Sequence, residues 1–490
     1  KEKKQSGEKR YIVTYADPKT DAETASQILN VSSNSVANGV ALLETDAEIG
    51  GSDILHFDGV GSTLITCSEQ RAEELKQDNR ILAVEEDAEV FALGTMEDFE
   101  QEVETHNEHQ DPYFQLAQEY YKQGYEQGKS ESQKGLMEQL QHFLSGQTGG
   151  NGNSNGNGNG NGHSRLATAR TAFQPPADYP FQTSSFNPFQ QLVSPPPSIL
   201  VQPTPWNINM VKAPAAWARG LRGNGIKVAV IDTGIAAHAD LGVSGGACFV
   251  PGIASFNDDN GHGTHCAGIV AARNNFIGVI GVAPAASLYA VKVLKHDPLT
   301  GGASGSTSWV IAGMVWAMQR GIKVVSMSLG SKTPPLLAYK NAITQLTNAG
   351  VSVVCAAGNS FGSAFPWVNA PANSHSTAIA VGAVNINKII APFSSRGTNG
   401  IGWNPVTLVA PGVSVNSTYP FPASSYKIFS GTSMACPHVA GAVALIRQKF
   451  PMFTPAQIKF KLITSSSDLG VPGNDPTFGA GLLNCDKATL

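Results

Sequence analysis

The feature that most constrains the fold is an alternation, in residues 201–490, of continuous apolar runs with stretches of helical periodicity. The apolar runs are 227–231, 288–294, 323–327, 351–357 and 378–384, and the helical stretches are 262–272, 308–320, 335–349 and 432–450. Strands that are apolar along their whole length are buried on both faces, and strands that alternate with helices pair in parallel. We therefore predict an α/β fold, with a doubly wound, mostly parallel sheet and helices on both faces. In such sheets, functional residues gather at the carboxyl ends of the strands.

The composition is that of a large globular protein, and it argues against several classes of partner. Of the 490 residues, 41% are hydrophobic and 14% are charged, and the net charge is -5. This mild charge gives no reason to expect nucleic acid or an anionic membrane as a partner. No stretch reaches the roughly 20 consecutive apolar residues that a membrane-spanning helix needs. The six cysteines include no CxxC pair, which argues against a zinc knuckle or a redox motif.

Three further segments precede the alternating region. Residues 1–93 are predicted to form a small α+β domain, with strands at 10–15, 62–66 and 81–84 and a helix that begins after Ser68. Residues 94–147 are rich in Glu and Gln, with apolar residues at helical spacing, and indicate an acidic, partly helical arm. Residues 148–200 combine a Gly-Asn repeat with a Pro- and Phe-containing stretch, which is typical of a flexible linker.

Two alternatives stay open for the middle of the chain. The acidic segment 94–147 is either a solvated arm or a dedicated helix for binding a partner. The Phe residues of the linker either belong to a plain spacer or dock on the neighbouring domain.

Three local patterns indicate nucleophilic catalysis. Asp232 closes the apolar run 227–231, where a lone Asp is more often a turn former. His262 opens a helical stretch between two glycines, which indicates close approach of a substrate. His265, three residues later, also allows a metal pair, but no third ligand lies near in sequence. Ser433 follows Gly431 at the start of another helical stretch, and the positive end of a helix favours the charge that develops on a nucleophile.

These residue types complement one another chemically. A Ser hydroxyl becomes nucleophilic when a base within hydrogen-bonding distance accepts its proton, and a His titrates near neutrality and suits that task. An Asp fixes the tautomer of the His and stabilises its protonated form. Asn359, after the run 351–357 and Gly358, has a side-chain N–H that can stabilise a tetrahedral oxyanion. We therefore predict Asp232, His262 and Ser433 as a catalytic triad with Asn359 as oxyanion donor.

The order Asp, His, Ser and the sequence around each residue resemble the subtilisin family of serine proteases. The resemblance covers 201–484 and includes the segments 281–294, 327–330, 393–397 and 409–413. It implies a serine endopeptidase that acts on proteins and peptides through an acyl-enzyme, with large apolar P1 residues preferred. It also implies that substrate is bound by Gly305 in an edge strand and by two segments that contain Ser328, Leu329, Gly330, Ala356 and Gly358.

The same resemblance implies a structural calcium site. Its side-chain ligands would be Gln202, Asp240 and Asn275, and its carbonyl ligands would come from Arg273, Ile277 and Val279. An all-oxygen ligand set of this kind suits a hard cation such as Ca²⁺.

Residues 1–93 resemble the inhibitory propeptide of the family, which also assists folding. Leu93 would then occupy the S1 site, and self-cleavage would fall between Leu93 and Gly94. The family habit, the propeptide and the calcium site together lead us to expect a secreted enzyme, and we expect it to be a monomer. Segment 94–200 is absent from most close relatives, and we hypothesise a second cut near Val201. Cys266 and Cys436 are interpreted as small buried apolar residues.

Two functions from other classes compete with this prediction. A binding protein that had lost its chemistry would lack a triad or oxyanion residue, whereas all four are present. A surface adhesion role of the acidic arm, with proteolysis secondary, remains testable by deletion of 94–200.

Overall fold

The structure is a computed structural model, and it describes residues 8–44, 54–93, 202–397 and 401–490. The N-terminal region contains β1 (Glu8–Tyr15), α1 (Ala22–Leu29), β2 (Val36–Asn38), α2 (Gly39–Glu44), β3 (Ile54–Phe57), β4 (Ser62–Ser68), α3 (Glu69–Leu75), β5 (Ile81–Glu86) and β6 (Glu89–Ala92). Its first five strands form one sheet in the order β2-β3-β4-β1-β5. Ser68 accepts a hydrogen bond from Arg71 N and so caps α3, as predicted.

The region from residue 202 onward is larger. It contains α4 (Trp206–Met210), α5 (Ala213–Ala218), β7 (Lys227–Asp232), β8 (Val243–Cys248), α6 (His262–Ala271), β9 (Ser287–Lys292), β10 (Leu294–His296), β11 (Ala303–Ser306), α7 (Thr307–Gln319), β12 (Val324–Met327), β13 (Leu329–Gly330), α8 (Leu337–Asn348), β14 (Ser352–Ala356), β15 (Ile379–Val384), β16 (Val406–Pro411), β17 (Val415–Tyr419), β18 (Ser425–Phe429), α9 (Thr432–Lys449), α10 (Pro455–Ser465) and α11 (Cys485–Ala488).

Seven strands of this region form the predicted parallel sheet, in the order β16-β15-β14-β12-β7-β9-β8. Successive residues of a strand point to opposite faces, and β7 shows the consequence. Val228 and Val230 lie in one apolar core with residues of α6 and α9. Ala229 and Ile231 lie in a second core with residues of α7 and α8. Both faces of the sheet are therefore covered, and the predicted α/β fold class is confirmed.

The last strand of the N-terminal region belongs to a different sheet. β6 lies between β11 and β13 in a four-stranded antiparallel sheet of order β10-β11-β6-β13. The N-terminal region also packs against α7 and α8, because Ile12, Leu55 and Phe57 share the second core with those helices. This packing carries residue 93 to the carboxyl edge of the parallel sheet.

Several described elements were not predicted from the sequence, and two examples show why. β8 has two glycines in six residues and a single β-branched residue, Val243, so its strand signal in the sequence is weak. β17 and β18 form a separate antiparallel hairpin whose residues are only partly buried. The segments predicted at 94–147 and 148–200 lie outside the described residues. Among the described helices, none is both long and apolar enough to cross a membrane.

A half-buried lysine links α10 to the central sheet. Nζ of Lys459 donates to the carbonyl oxygens of Ser376 at 2.8 Å and Ala378 at 2.6 Å, just before β15. Burial lowers the pKa of Lys459 from 10.5 to about 8.

This shift makes a prediction about alkaline stability. Between about pH 8 and pH 10.5 the unfolded chain holds a proton on Lys459 that the folded chain has released, so this residue adds stability as pH rises. In a Ser433→Ala background, the melting temperature of Lys459→Met should therefore fall relative to the parent as pH rises through this window. Lys461→Met, on the same helix, is the matched control. A difference that does not change with pH would contradict the prediction.

Candidate active site

Two of the predicted catalytic residues form a buried pair. Asp232 ends β7 and is fully buried, and His262 begins α6. The Nδ1–H of His262 donates to Oδ1 of Asp232 at 2.7 Å, and the N–H of Thr233 donates to the same oxygen. This fixes the tautomer of the imidazole and directs Nε2 away from the carboxylate.

Ser433 is the second residue of α9, where the positive end of the helix dipole lies. Its Oγ lies 2.5 Å from the carbonyl oxygen of Leu93 and 3.0 Å from that of Ser328. Cys266 of α6 connects it with the buried pair, because Sγ lies 3.4 Å from the carbonyl oxygen of Ser433. A carboxylate oxygen of Asp232, a ring nitrogen of His262 and Sγ of Cys266 all lie within 4.8 Å of one another. The structure therefore brings the three predicted residues together.

Asn359 lies beside the start of α9. Its Oδ1 accepts hydrogen bonds from N of Thr432 at 2.9 Å and from Oγ1 of Thr432 at 2.8 Å. These two bonds hold the oxygen end of the amide against the helix start, so the N–H₂ end points away from Thr432. Gly358 precedes it at φ +114°, where a Cβ would come within 2.6 Å of the Asn369 side chain.

The cleft beside Ser433 is filled by the end of the N-terminal region. Gly305 of β11 pairs with Val90 on one side of β6, and Gly330 of β13 pairs with Phe91 on the other. Leu93 follows, and its N–H donates to the carbonyl oxygen of Ser328 at 3.2 Å. A Cβ on Gly305 would collide with the carbonyl of Val293, which explains the glycine.

The Leu93 side chain lies in an apolar pocket. It is 8% exposed and shares the first core with Ala356. Its Cδ1 would lie 3.4 Å from a Cβ on Gly330, so a larger residue at that position would crowd the pocket. Leu329, which was also predicted to bind substrate, meets β6 through its backbone. Its side chain belongs to the second core, and its main chain pairs with Ala92.

Burial determines the protonation of the neighbouring groups. It lowers the pKa of His265 to about 3, and Nε2 of this neutral ring lies 2.9 Å from the carbonyl oxygen of Lys427. Burial raises the pKa of the Cys266 thiol well above its usual value and that of Cys436 to about 12. A protonated thiol is a poor metal ligand and a poor nucleophile. Both cysteines are thus inert buried residues, and His265 is held by a backbone contact.

Asp258 is a residue that sequence reasoning missed. Its buried carboxylate accepts hydrogen bonds from Oγ1 of Thr233, from N of Asn260 and Gly261, and from N and Oγ1 of Thr264. It therefore connects the end of β7 with the start of α6, the two elements that carry Asp232 and His262. Its signal in the sequence is the polar run 257–260, which ends two residues before His262.

The predicted calcium ligands also lie together. Nε2 of Gln202 donates to the carbonyl oxygens of Ile277 at 2.6 Å and Val279 at 2.8 Å. N of Val279 donates to Oδ2 of Asp240 at 3.0 Å, and N of Arg273 donates to the carbonyl oxygen of Asp240. Oε1 of Gln202, the predicted ligand oxygen, does not face these carbonyl oxygens, because it accepts hydrogen bonds from N of Asn275 and N of Phe276.

The charge at this place is poorly compensated. Oδ1 of Asp240 is buried and accepts no hydrogen bond from the described residues. Burial raises the pKa of Asp240, although contacts with Val279 N and the Tyr426 hydroxyl oppose that shift. A buried carboxylate oxygen without a donor, next to two carbonyl oxygens, fits the oxygen-rich environment of a hard cation.

Comparisons with known proteins agree with this arrangement. A family model described as the subtilase family matches residues 223–481, more than half of the chain. Subtilisin BL of Lederbergia lenta is 47% identical over 288 residues, which cover 59% of this chain and 99% of the relative. Alkaline protease of Shouchella clausii is 47% identical over 290 residues, with 59% and 71% covered. Subtilisin E of Bacillus subtilis strain 168 is 46% identical over 290 residues, also with 59% and 71% covered.

The matched segment contains the strand ends, the helix starts and the cleft described above. A match of this extent identifies the family, and the arrangement of acid, histidine and serine agrees with its chemistry. The chain belongs to the subtilase family and is a subtilisin-like serine endopeptidase that acts on protein substrates.

Proposed function

We propose that this chain is a secreted, self-processing endopeptidase in which Asp232, His262 and Ser433 form the catalytic triad. Oγ of Ser433 attacks the scissile carbonyl while His262 accepts its proton, and Asp232 stabilises the imidazolium. The tetrahedral oxyanion is bound by the side-chain N–H of Asn359. His262 then donates its proton to the leaving amine, and water hydrolyses the acyl-enzyme. The observation that carries the proposal is the carbonyl oxygen of Leu93, which lies 2.5 Å from Oγ of Ser433.

Strand addition accounts for substrate binding. β6 lies between β11 and β13 and pairs antiparallel with both. An extended substrate that took the place of β6 would be held by the same main-chain hydrogen bonds, whatever its side chains. Specificity then depends on the pocket that receives Leu93. Because Gly330, Ala356 and Gly358 leave room beside an apolar core, large apolar P1 residues are preferred.

Residues 1–93 act as an intramolecular inhibitor and a folding aid. Inhibition follows from occupancy, since β6 and Leu93 fill the cleft. Assistance in folding follows from two carboxylates that accept hydrogen bonds from the first N–H groups of two helices. Glu85 accepts from N of Leu337 and Ala338 at 2.8 and 2.9 Å, at the start of α8.

The second carboxylate acts at the neighbouring helix. Asp87 accepts from N and Oγ of Ser308 at 2.8 and 2.9 Å, at the start of α7. Neither helix has a side-chain cap of its own. The N-terminal region thus supplies the caps for both helices that cover one face of the sheet.

Calcium is proposed as a structural cofactor held by Gln202, Asp240, Asn275 and the carbonyls of Arg273, Ile277 and Val279. Bound there, the ion supplies the positive charge that the Asp240 carboxylate and the carbonyl oxygens lack. Here the N–H₂ group of Gln202 satisfies two of those carbonyls. Ligation by Gln202 requires its amide to turn so that Oε1 faces the same carbonyls. A calcium site that is suited to millimolar calcium fits an extracellular enzyme.

The division of the chain is also part of the proposal. It comprises a propeptide at 1–93, an acidic arm at 94–147, a linker at 148–200 and a peptidase domain at 201–490. A second cut near Val201 would separate the arm from the mature enzyme.

Self-cleavage is the first test. Purified wild-type chain should release a fragment that ends at Leu93, while Ser433→Ala should stay intact, because Oγ of Ser433 is the proposed nucleophile. Intact mass and N-terminal sequencing over time measure both. Equal cleavage of the two chains would show that another protease cuts them.

The P1 preference can be tested with two substitutions of Leu93. Leu93→Lys places an ammonium group in the apolar pocket without changing the main chain, so cleavage after residue 93 should slow at least tenfold. Leu93→Met, of similar volume, should be cut at nearly the wild-type rate. Equal rates for all three chains would contradict an apolar S1 pocket.

The helix caps can be tested without cleavage. In the Ser433→Ala chain, Glu85→Ala with Asp87→Ala should lower the free energy of unfolding by about 1–4 kcal/mol, since loss of one cap to Ala costs about 0.5–2 kcal/mol. Urea unfolding followed by circular dichroism measures it. Glu89→Ala, at an exposed carboxylate of β6, is the control and should change little.

Calcium binding is tested by calorimetry on the Ser433→Ala chain. Tight binding should be lost in Asp240→Asn and weakened in Gln202→Ala, and the melting temperature should fall on addition of a chelator. Asp297→Asn, a turn residue elsewhere, is the control. Wild-type affinity in Asp240→Asn would overturn this ligand set.

A further inference from the structure

A buried lysine stands behind the catalytic pair. Lys292 belongs to β9, where it is the direct neighbour of Asp232 across the sheet. Its side chain is fully buried, and Nζ has three acceptors. They are the carbonyl oxygen of Thr233 at 2.8 Å, the carbonyl oxygen of Leu294 at 2.9 Å and Oδ1 of Asp259 at 2.7 Å. An ammonium group has three N–H donors, so each of them is used.

Each acceptor belongs to a different part of the site. Thr233 directly follows Asp232, so the first bond fixes the end of β7. Leu294 opens β10, which pairs with Gly305 in β11, so the second bond fixes the strand behind the substrate-binding edge. Asp259 lies in the loop that leads to His262, so the third bond fixes that loop.

The loop and the edge hairpin are also joined directly. Oδ1 of Asp259 accepts a further bond from N of His296 in β10 at 3.3 Å. The side chain of Asn260 donates to the carbonyl oxygens of Gly301 and Gly302, each at 3.1 Å. The Lys292–Asp259 pair therefore lies where β7, the His262 loop and the hairpin β10–β11 meet.

A charge is costly at such a place. Removing an ammonium group from water is unfavourable unless it is paired and fully hydrogen-bonded, and a packed apolar residue is often as stabilising. What an apolar residue cannot do is donate to three convergent acceptors. The arrangement thus favours geometry over stability as the reason for this lysine.

We propose that Lys292 is a positioning residue of the peptidase, which holds the Asp232 strand end, the His262 loop and the substrate-binding edge in one geometry. The proposal rests on the function assigned above to Asp232, His262 and Gly305. It separates two effects on catalysis. Loss of the bond to Thr233 disturbs all substrates, whereas loss of the bond to Leu294 disturbs only substrates long enough to pair with β11.

The experiment compares two substrates on Lys292→Met and the parent enzyme. One is a blocked tetrapeptide anilide that reaches β11, and the other is a blocked single-residue ester that does not. Active molecules are counted with a fluorophosphonate that labels Ser433, so a loss of folded enzyme does not enter kcat. We expect kcat/KM for the tetrapeptide to fall at least tenfold more than kcat/KM for the ester.

Asp259→Asn provides a milder variant should Lys292→Met not fold. Asp259 is 40% exposed, and its amide replacement leaves the two backbone acceptors of Lys292 in place. The same substrate split, reduced to a few-fold, is expected. Lys295→Met removes an exposed lysine of β10 and should alter both substrates equally or not at all.

The pH profile gives a second readout that a merely structural role would not move. The acid limb of kcat/KM reports the ionisation of His262. The titratable side chains nearest to it are Asp232, Cys266 and His265, and those of the adjoining loop and strand are Asp258, Asp259 and Lys292. Removing the positive charge of Lys292 should move the acid limb to higher pH, and removing the negative charge of Asp259 should move it to lower pH. Each shift should be on the order of half a pH unit.

The outcomes separate this proposal from the one on which it rests. An equal fall on both substrates, with shifts of one sign or none, would overturn the role of Lys292. A parent enzyme that the fluorophosphonate labels elsewhere than at Ser433 would instead overturn the assigned triad. A substrate split together with opposite shifts would support Lys292 as a positioning residue.

Discussion

The parallel pairing of seven strands is the constraint on which the site depends. Because every strand of the sheet runs in the same direction, the carboxyl ends of β7, β12 and β14 lie at one edge. Asp232 ends β7, Ser328 follows β12 and Asn359 follows β14, so these residues meet although they are far apart in sequence. The helices that cover the sheet begin near the same edge, which brings His262 and Ser433 to it.

The strong signals in the sequence were those with a physical period or a fixed chemical partner. Continuous apolar runs and the helical stretches between them predicted the sheet and its faces, and Ser68 predicted a helix start. Asp232, His262 and Ser433 could be proposed as a triad from the sequence because their residue types complement one another and each stands where a strand ends or a helix begins. β8 was missed because four of its six residues are not buried, and its two glycines give no strand signal.

Residues that act through hydrogen bonds across the fold left weaker signals. Asp258 and Lys292 are both buried and ionisable, and in the sequence Asp258 looks like a loop residue and Lys292 like the end of a strand. Only the folded chain shows that Asp258 collects donors from β7 and α6 and that Lys292 donates to three segments. Long-range polar contacts have no period, so the sequence pattern does not reveal them. The orientation of the Gln202 amide was likewise beyond sequence reasoning, because it depends on which neighbours donate and which accept.

Leu93 and Gln202 can both occupy their sites before the chain is cut, because a long segment connects them. Leu93 lies at Ser433, near the start of α6, whereas Gln202 contacts the loop that follows the other end of that helix. A helix from His262 to Ala271 is about 15 Å long, so a direct connection of Leu93 to Gln202 would not reach both places. Here the whole of positions 94–201 separates them, which is ample length for both ends to be held at once. Cleavage after Leu93 is therefore not needed to bring Gln202 to the loop, and the proposed calcium site is complete in its protein ligands before the chain is cut.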